Sequence, residues 1–153
     1  MRVSKKLEYA VRALIYMAGQ EKEKNFLIRD IADKNKIPKK FLELILLELK
    51  NSGLLSSKRG VSGGYSFFIS PSKITFYDVY RAIQGEVEPT DCVREGDKEC
   101  EASVDPSWCG LRFVMDEVRA NLEESMRKWT IKKISDLERE MKLKSDREIM
   151  YYI

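Results

Sequence analysis

Three cysteines, Cys92, Cys100 and Cys109, are the only thiols in this 153-residue chain, and they fall within one 18-residue stretch. Seven residues separate the first two and eight the last two, so there is no CxxC, and the zinc-ribbon and dithiol-redox signatures are both missing. The chain has no histidine, which removes His-ligated zinc and any Ser-His-Asp or Cys-His catalytic pair. Three thiolates on one loop can still close around a single centre, and thiolates suit soft metals and iron–sulfur clusters. The neighbours Glu95, Asp97, Glu99 and Glu101 do not activate a thiol as nearby cations do, which favours metal ligation over a free reactive cysteine. A redox enzyme built on this loop lacks a nucleotide-binding GxGxxG as well as a histidine and a CxxC, so the expectation is a non-enzyme.

The cysteine stretch separates two regions of different charge. Residues 1–85 hold 16 Lys/Arg against 8 Asp/Glu, residues 86–110 hold 2 against 8, and the remainder hold 10 against 9. A basic N-terminal half suits a polyanion, because each neutralised phosphate releases condensed counterions. Apolar residues make up 43% and charged residues 35%, a globular rather than a disordered composition. Apolar runs such as Leu44–Leu47 are far shorter than a membrane span, and no secretory h-region follows Met1. The expected location is cytoplasmic, without a membrane partner, in a compartment that keeps thiols reduced.

The elements that must position this chemistry are readable from periodicity. Ser4–Gly19 predicts a capped helix with Leu7, Val11, Leu14, Ile15 and Ala18 on one stripe, and Leu27–Lys34 a short second helix. Asn35-Lys36-Ile37 is a tight turn, and Pro38–Ser52 a third helix with Phe41, Leu42, Ile45, Leu46 and Leu49 inward. Strands are expected at Leu54–Ser57 and Tyr65–Ile69 around a glycine-rich tip, then a fourth helix at Phe76–Gln84. Helix, turn, helix, hairpin is the order of a winged helix-turn-helix. Lys39 and Lys40 begin the helix whose start would enter a major groove, and Glu43 can accept from a cytosine amino group. Arg59, beside Gly60, can enter a narrow minor groove.

The segment Gly53-Leu54-Leu55-Ser56-Ser57-Lys58-Arg59-Gly60-Val61-Ser62-Gly63-Gly64-Tyr65 resembles the wing motif of the Rrf-type regulators, the family of IscR and NsrR. The opening Lys6-Leu7-Glu8-Tyr9-Ala10-Val11-Arg12-Ala13-Leu14 and the helix pair Ile28–Lys50 are similar to the same family, and the likeness runs over about residues 1–142. It implies a dimeric transcription regulator, usually a repressor, with Lys39, Lys40, Phe41, Glu43, Arg59 and Gly60 at the DNA. It also implies a 2Fe–2S or 4Fe–4S cluster on Cys92, Cys100 and Cys109, although the cysteines of relatives are more tightly spaced. Some relatives use a histidine three residues after the third cysteine, where this chain has Arg112. Others use an acidic residue on the first helix, where it has Glu8, which is therefore the implied fourth ligand. A cluster-free, thiol-only regulator and a winged helix that binds protein remain as alternatives.

From Gly110, Leu111, Met115, Val118, Leu122, Met126, Trp129, Ile134, Leu137 and Met141 recur at mostly helical spacing. One continuous helix over Gly110–Lys142 would span roughly 50 Å, at about 1.5 Å per residue. That exceeds what a small domain can cover, so the expected partner is a second copy, which would favour a pseudo-palindromic double-stranded DNA site. The expected fold is mainly α with a small β-hairpin wing. Residues 1–85 make the winged helix-turn-helix domain, 86–109 the cysteine-bearing loop, 110–142 the dimerisation helix and 143–153 a tail.

Overall fold

The computed structural model describes residues 3–20, 25–60, 63–90, 93 and 105–151. Six α-helices surround one two-stranded antiparallel hairpin, with no helix among the described residues long and apolar enough to cross a membrane. Helix α1 (Lys5–Gly19) is the centre of the molecule and packs against α2 (Ile28–Asn35), α3 (Lys39–Asn51), α4 (Phe76–Gln84) and α6 (Ile131–Tyr151). Its buried face is Leu7, Ala10, Ala13, Leu14, Met17 and Ala18, while Val11 and Ile15 are only half-buried. The face is thus turned from the expected stripe toward the alanines, whose small side chains let neighbouring helices approach closely. Ser4 caps α1 by accepting from the Leu7 N–H at 3.2 Å, and its own N–H and hydroxyl both donate to Gln84 Oε1 at 3.0 Å.

The turn between α2 and α3 closes as the sequence suggests. Lys36 takes a left-handed conformation with φ 53°, the one such non-glycine among the described residues. The Ile37 N–H returns to the Ala32 carbonyl at 3.0 Å, and the Ile37 side chain is buried. Pro38 precedes α3 rather than opening it, and its carbonyl accepts from the Phe41 and Leu42 N–H groups. Leu42, Ile45, Leu46 and Leu49 are fully buried. At the far end Gly53, at φ 75°, turns the chain into the hairpin.

Strand β1 (Leu55–Lys58) pairs with β2 (Gly64–Phe67) in the register Leu55↔Phe67 to Lys58↔Gly64. A third segment joins them: Phe26 exchanges both backbone hydrogen bonds with Tyr65, at 2.8 and 2.9 Å. Thr75 and Asp78 form a reciprocal capping box at the start of α4.

The C-terminal region departs from expectation. The continuous helix expected over Gly110–Lys142 is two helices, α5 (Gly110–Arg127) and α6, separated at 128–130. The backbone there is bonded elsewhere: the Trp129 carbonyl accepts from Phe76, Ile131 N–H donates to Ile74, and Lys132 N–H donates to Pro71, at 2.7, 2.8 and 3.0 Å. Those bonds, with the Thr75↔Thr130 bridge, displace the helical ladder, and Thr130 Oγ1 then accepts from Lys133 N–H at 3.2 Å as a fresh N-cap. Helix α6 folds back on α1, burying Ile131 and Ser135 where Gly19 lets the two helices meet. Its end passes beyond residue 142, so much of the expected tail is helical.

Candidate nucleic-acid interface

Lys39, Lys40 and Glu43 are all exposed on α3, on the side away from its buried leucines. Among the described residues neither lysine enters a salt bridge, and neither does Arg59. These charges are therefore available to a partner. Helix α3 is fixed to the scaffold by Lys6, whose Nζ pairs with Glu48 at 2.6 Å. Phe41 stands apart from the other expected contact residues. Its ring is half-buried and meets Tyr9 edge to face, with centroids 5.9 Å apart. This contact helps to seat α3 on α1, an inward role beside the DNA contact expected of Phe41.

The hairpin tip is set by glycines in two ways. Gly60 has φ 109°, a conformation that side chains rarely adopt, and its carbonyl accepts from Gly63 N–H at 2.8 Å. Gly63 and Gly64 are required by space, since a Cβ on Gly64 would lie 2.5 Å from the Phe26 carbonyl oxygen and one on Gly63 2.8 Å from that of Gly60. Arg59 and Gly60 are both exposed on this closed tip.

The reading helix and the wing are neighbours. Tyr65, on β2, has its phenol pKa raised first by burial and then by the negative charge of Glu43. Helix α3 packs against β1, the strand that leads into the tip. The sequence did not reveal Phe26 and Tyr65 as the pair anchoring this arrangement, since the polar run before Phe26 reads only as a linker. It also treated Leu44 and Leu47 only as part of an apolar run, yet both are exposed beside Lys40 and Glu43.

Of the expected metal ligands, only Cys109 and Glu8 fall among the described residues. Cys92 and Cys100 lie outside the described residues. Cys109 is half-buried in the N-cap position of α5. Glu8 shares its two carboxylate oxygens between Lys5 at 2.7 Å and Arg12 at 2.9 Å. The hydrogen bond from Lys5, aided by the charges of Lys5 and Arg12, holds its pKa below the ordinary carboxylate value. Ligation by Glu8 would require these two exposed pairs to open. Arg112, at the position where some relatives have histidine, pairs with Asp116. Among the described residues no group of three His, Cys, Asp or Glu could hold a metal ion.

Helix α5 leaves apolar side chains uncovered in this chain. Leu111, Phe113, Val114 and Val118 are exposed, as is Trp108 just before it, and Phe113 reaches 71%. Its one buried residue is Met126, near the junction with α6.

A short helix, a left-handed turn, a lysine-led helix seated in the core and a glycine-shaped β-finger beside it make this a winged helix-turn-helix protein. The chain belongs to the Rrf2 family, whose model, described as an iron-dependent transcriptional regulator, matches residues 3–137. It is 34% identical over 120 residues to an Rrf2-like HTH-type transcriptional regulator of Rhodobacter capsulatus, covering 76% of this chain and 80% of that one. It is 30% identical over 118 residues to the HTH-type transcriptional regulator CymR of Bacillus subtilis, covering 77% and 83%. The solved structure of that CymR, titled the global cysteine regulator, superposes with a TM-score of 0.72 at 25% identity, over 90% of this chain and 98% of that one. The structure of IscR from T. potens shares the fold, with a TM-score of 0.67 at 24% identity over 88% and 85%. Membership places the chain among DNA-binding transcription regulators rather than enzymes.

Proposed function

We propose that this chain acts as a homodimeric repressor that binds a pseudo-palindromic duplex and is controlled through its three cysteines. The observation that carries the DNA reading is the set of exposed cations free of salt bridges, Lys39, Lys40 and Arg59, on a helix and a hairpin that pack together through α3 and β1. Lys39 and Lys40 neutralise phosphates at the start of α3, Glu43 accepts from a cytosine amino group, and the Arg59 guanidinium enters the minor groove with Gly60 permitting close approach. The exposed apolar side of α5 supplies the dimer contact.

Cys92, Cys100 and Cys109 are the proposed ligands of an iron–sulfur cluster, 2Fe–2S or 4Fe–4S, with Glu8 as the fourth once released from Lys5 and Arg12. Such a cluster would supply a redox-sensitive centre at the start of α5, and DNA affinity would follow its state. A thiol-only regulator is the second reading. It is favoured by the pairing of Glu8 with Lys5 and Arg12 and by the likeness to CymR.

Anaerobic purification followed by visible spectroscopy and iron and sulfide analysis separates the two. A coloured protein with matching iron and sulfide supports the cluster; a colourless, metal-free protein after reconstitution removes it. DNA binding is tested independently by titrating salt on random duplex DNA, where phosphate contact gives a steep loss of affinity. Arg59→Ala should weaken binding while leaving the dimer intact, and unchanged affinity would refute the role of the wing.

A further inference from the structure

The outward side of α3 carries two features of opposite character. Lys40 and Glu43 offer a hydrogen-bond donor and an acceptor, while Leu44 and Leu47, four residues further on from each, are 56% and 44% exposed. Residues at this spacing are neighbours on a helix surface. The core does not need these leucines, since Leu42, Ile45, Leu46 and Leu49 already fill the inner side with no exposure at all. A single exposed leucine is ordinary, but this pair forms an apolar strip continuous with Lys40, assigned to phosphate, and Glu43, assigned to a base.

The major groove presents one apolar group on its base edges, the C5-methyl of thymine, and small apolar side chains recognise it there. We infer that Leu44, with Leu47 behind it, reads thymine methyl groups next to the base pair addressed by Glu43. Leu44 lies nearer the helix start, the end that enters the groove, and is the more exposed of the two, so it carries the larger share. The strip would then be a specificity determinant: Lys39 and Lys40 hold the helix on the duplex, and the leucines select thymine over cytosine at a fixed offset. The inference rests on the DNA-binding reading above and adds which base is recognised and by which side chains.

The test begins by selecting high-affinity duplexes from a random library with the full-length protein. Each thymine of the selected site is then replaced by deoxyuridine, which removes only the methyl group. At one or more positions per half-site the wild-type protein should lose about four-fold in affinity, the scale of one buried methyl. Leu44→Ala should bind the thymine and deoxyuridine duplexes nearly equally, and Leu47→Ala should show a smaller version of the same change. Melting temperatures of both variants, altered at exposed positions, show whether the fold is kept. An undiminished deoxyuridine penalty in Leu44→Ala, or selected sites in which no thymine methyl matters, overturns the inference. So does loss of self-association in the leucine variants, which would make the strip a protein contact. If the DNA reading itself is wrong, the wild-type protein will select no sequence and show no salt dependence. If only this inference is wrong, both remain and Arg59→Ala still weakens binding.

Discussion

Helices α5 and α6 follow one another with similar apolar periodicity, yet they meet different fates. Helix α6 packs on α1 through its first turns, burying Ile131 completely and Ser135 nearly so, while Leu137, Met141 and Leu143 further along are exposed. Helix α5 keeps only Met126 buried and leaves Leu111, Phe113, Val114 and Val118 facing outward. Periodicity shows that a helix has an apolar side, but not whether its own chain or another covers it. The deciding feature is the junction at 128–130, where backbone bonds to 71–76 redirect the chain so that α6 starts against α1 while α5 touches the core only near its end, through Leu122 and Met126.

The difference makes substitutions in the two helices separable. The largest effect is expected for Val114→Asp combined with Val118→Asp, two exposed residues one turn apart on the same face of α5. Placing two charges on the outward side of α5 should convert a dimer into a monomer in analytical ultracentrifugation and reduce operator affinity by about 100-fold or more, with the melting temperature little changed. A dimer that survives both charges would show that α5 is not the contact. Ile131→Ala, on α6, should do the reverse, costing about 2–4 kcal/mol in denaturant unfolding while the folded protein still associates. Thr130→Ala removes the cap on Lys133 N–H and should cost about 1 kcal/mol; an unchanged midpoint would mean that the bonds to 71–76 alone define the break.

The smallest effect lies on α1, the helix that α6 covers. The pKa of Glu8 is depressed in the folded chain, so its stabilising contribution is present above the ordinary carboxylate value of 4.5 and is lost as pH falls through the folded value. Glu8→Gln should flatten the acid side of a plot of melting temperature against pH, with little change at neutral pH. A slope identical to that of the wild-type protein would show that the pairs with Lys5 and Arg12 contribute nothing.

What could be read in advance was local. The turn at Asn35-Lys36-Ile37 and the glycine-rich tip are encoded in consecutive residues, and both form where expected. The α5–α6 break is set by partners more than fifty residues away, Pro71, Ile74 and Phe76, so an uninterrupted stripe gave no hint of it. Phe41 satisfied two readings at once, inward by spacing and outward by resemblance, and its contact with Tyr9 accounts for the inward one. The exposed leucines were hidden in a run where every residue is apolar. Position marked Glu8 as a candidate ligand but gave no sign that its neighbours three before and four after pair with it. Cys92 and Cys100 sit in a stretch without periodicity, outside the described residues, where spacing predicts chemistry but no geometry.

The seam between 71–76 and 129–132 has a mechanical consequence. It clamps the foot of α5 to the loop that links the wing to α4, so the helix is a spoke whose hub is part of the reading head. Its 18 residues reach about 27 Å at 1.5 Å per residue. A swing of about five degrees at the hub moves the Cys109 end by about 2 Å over that length. Two copies gripping each other along such spokes would have their heads set apart by the angle of the clamp, without the heads ever touching.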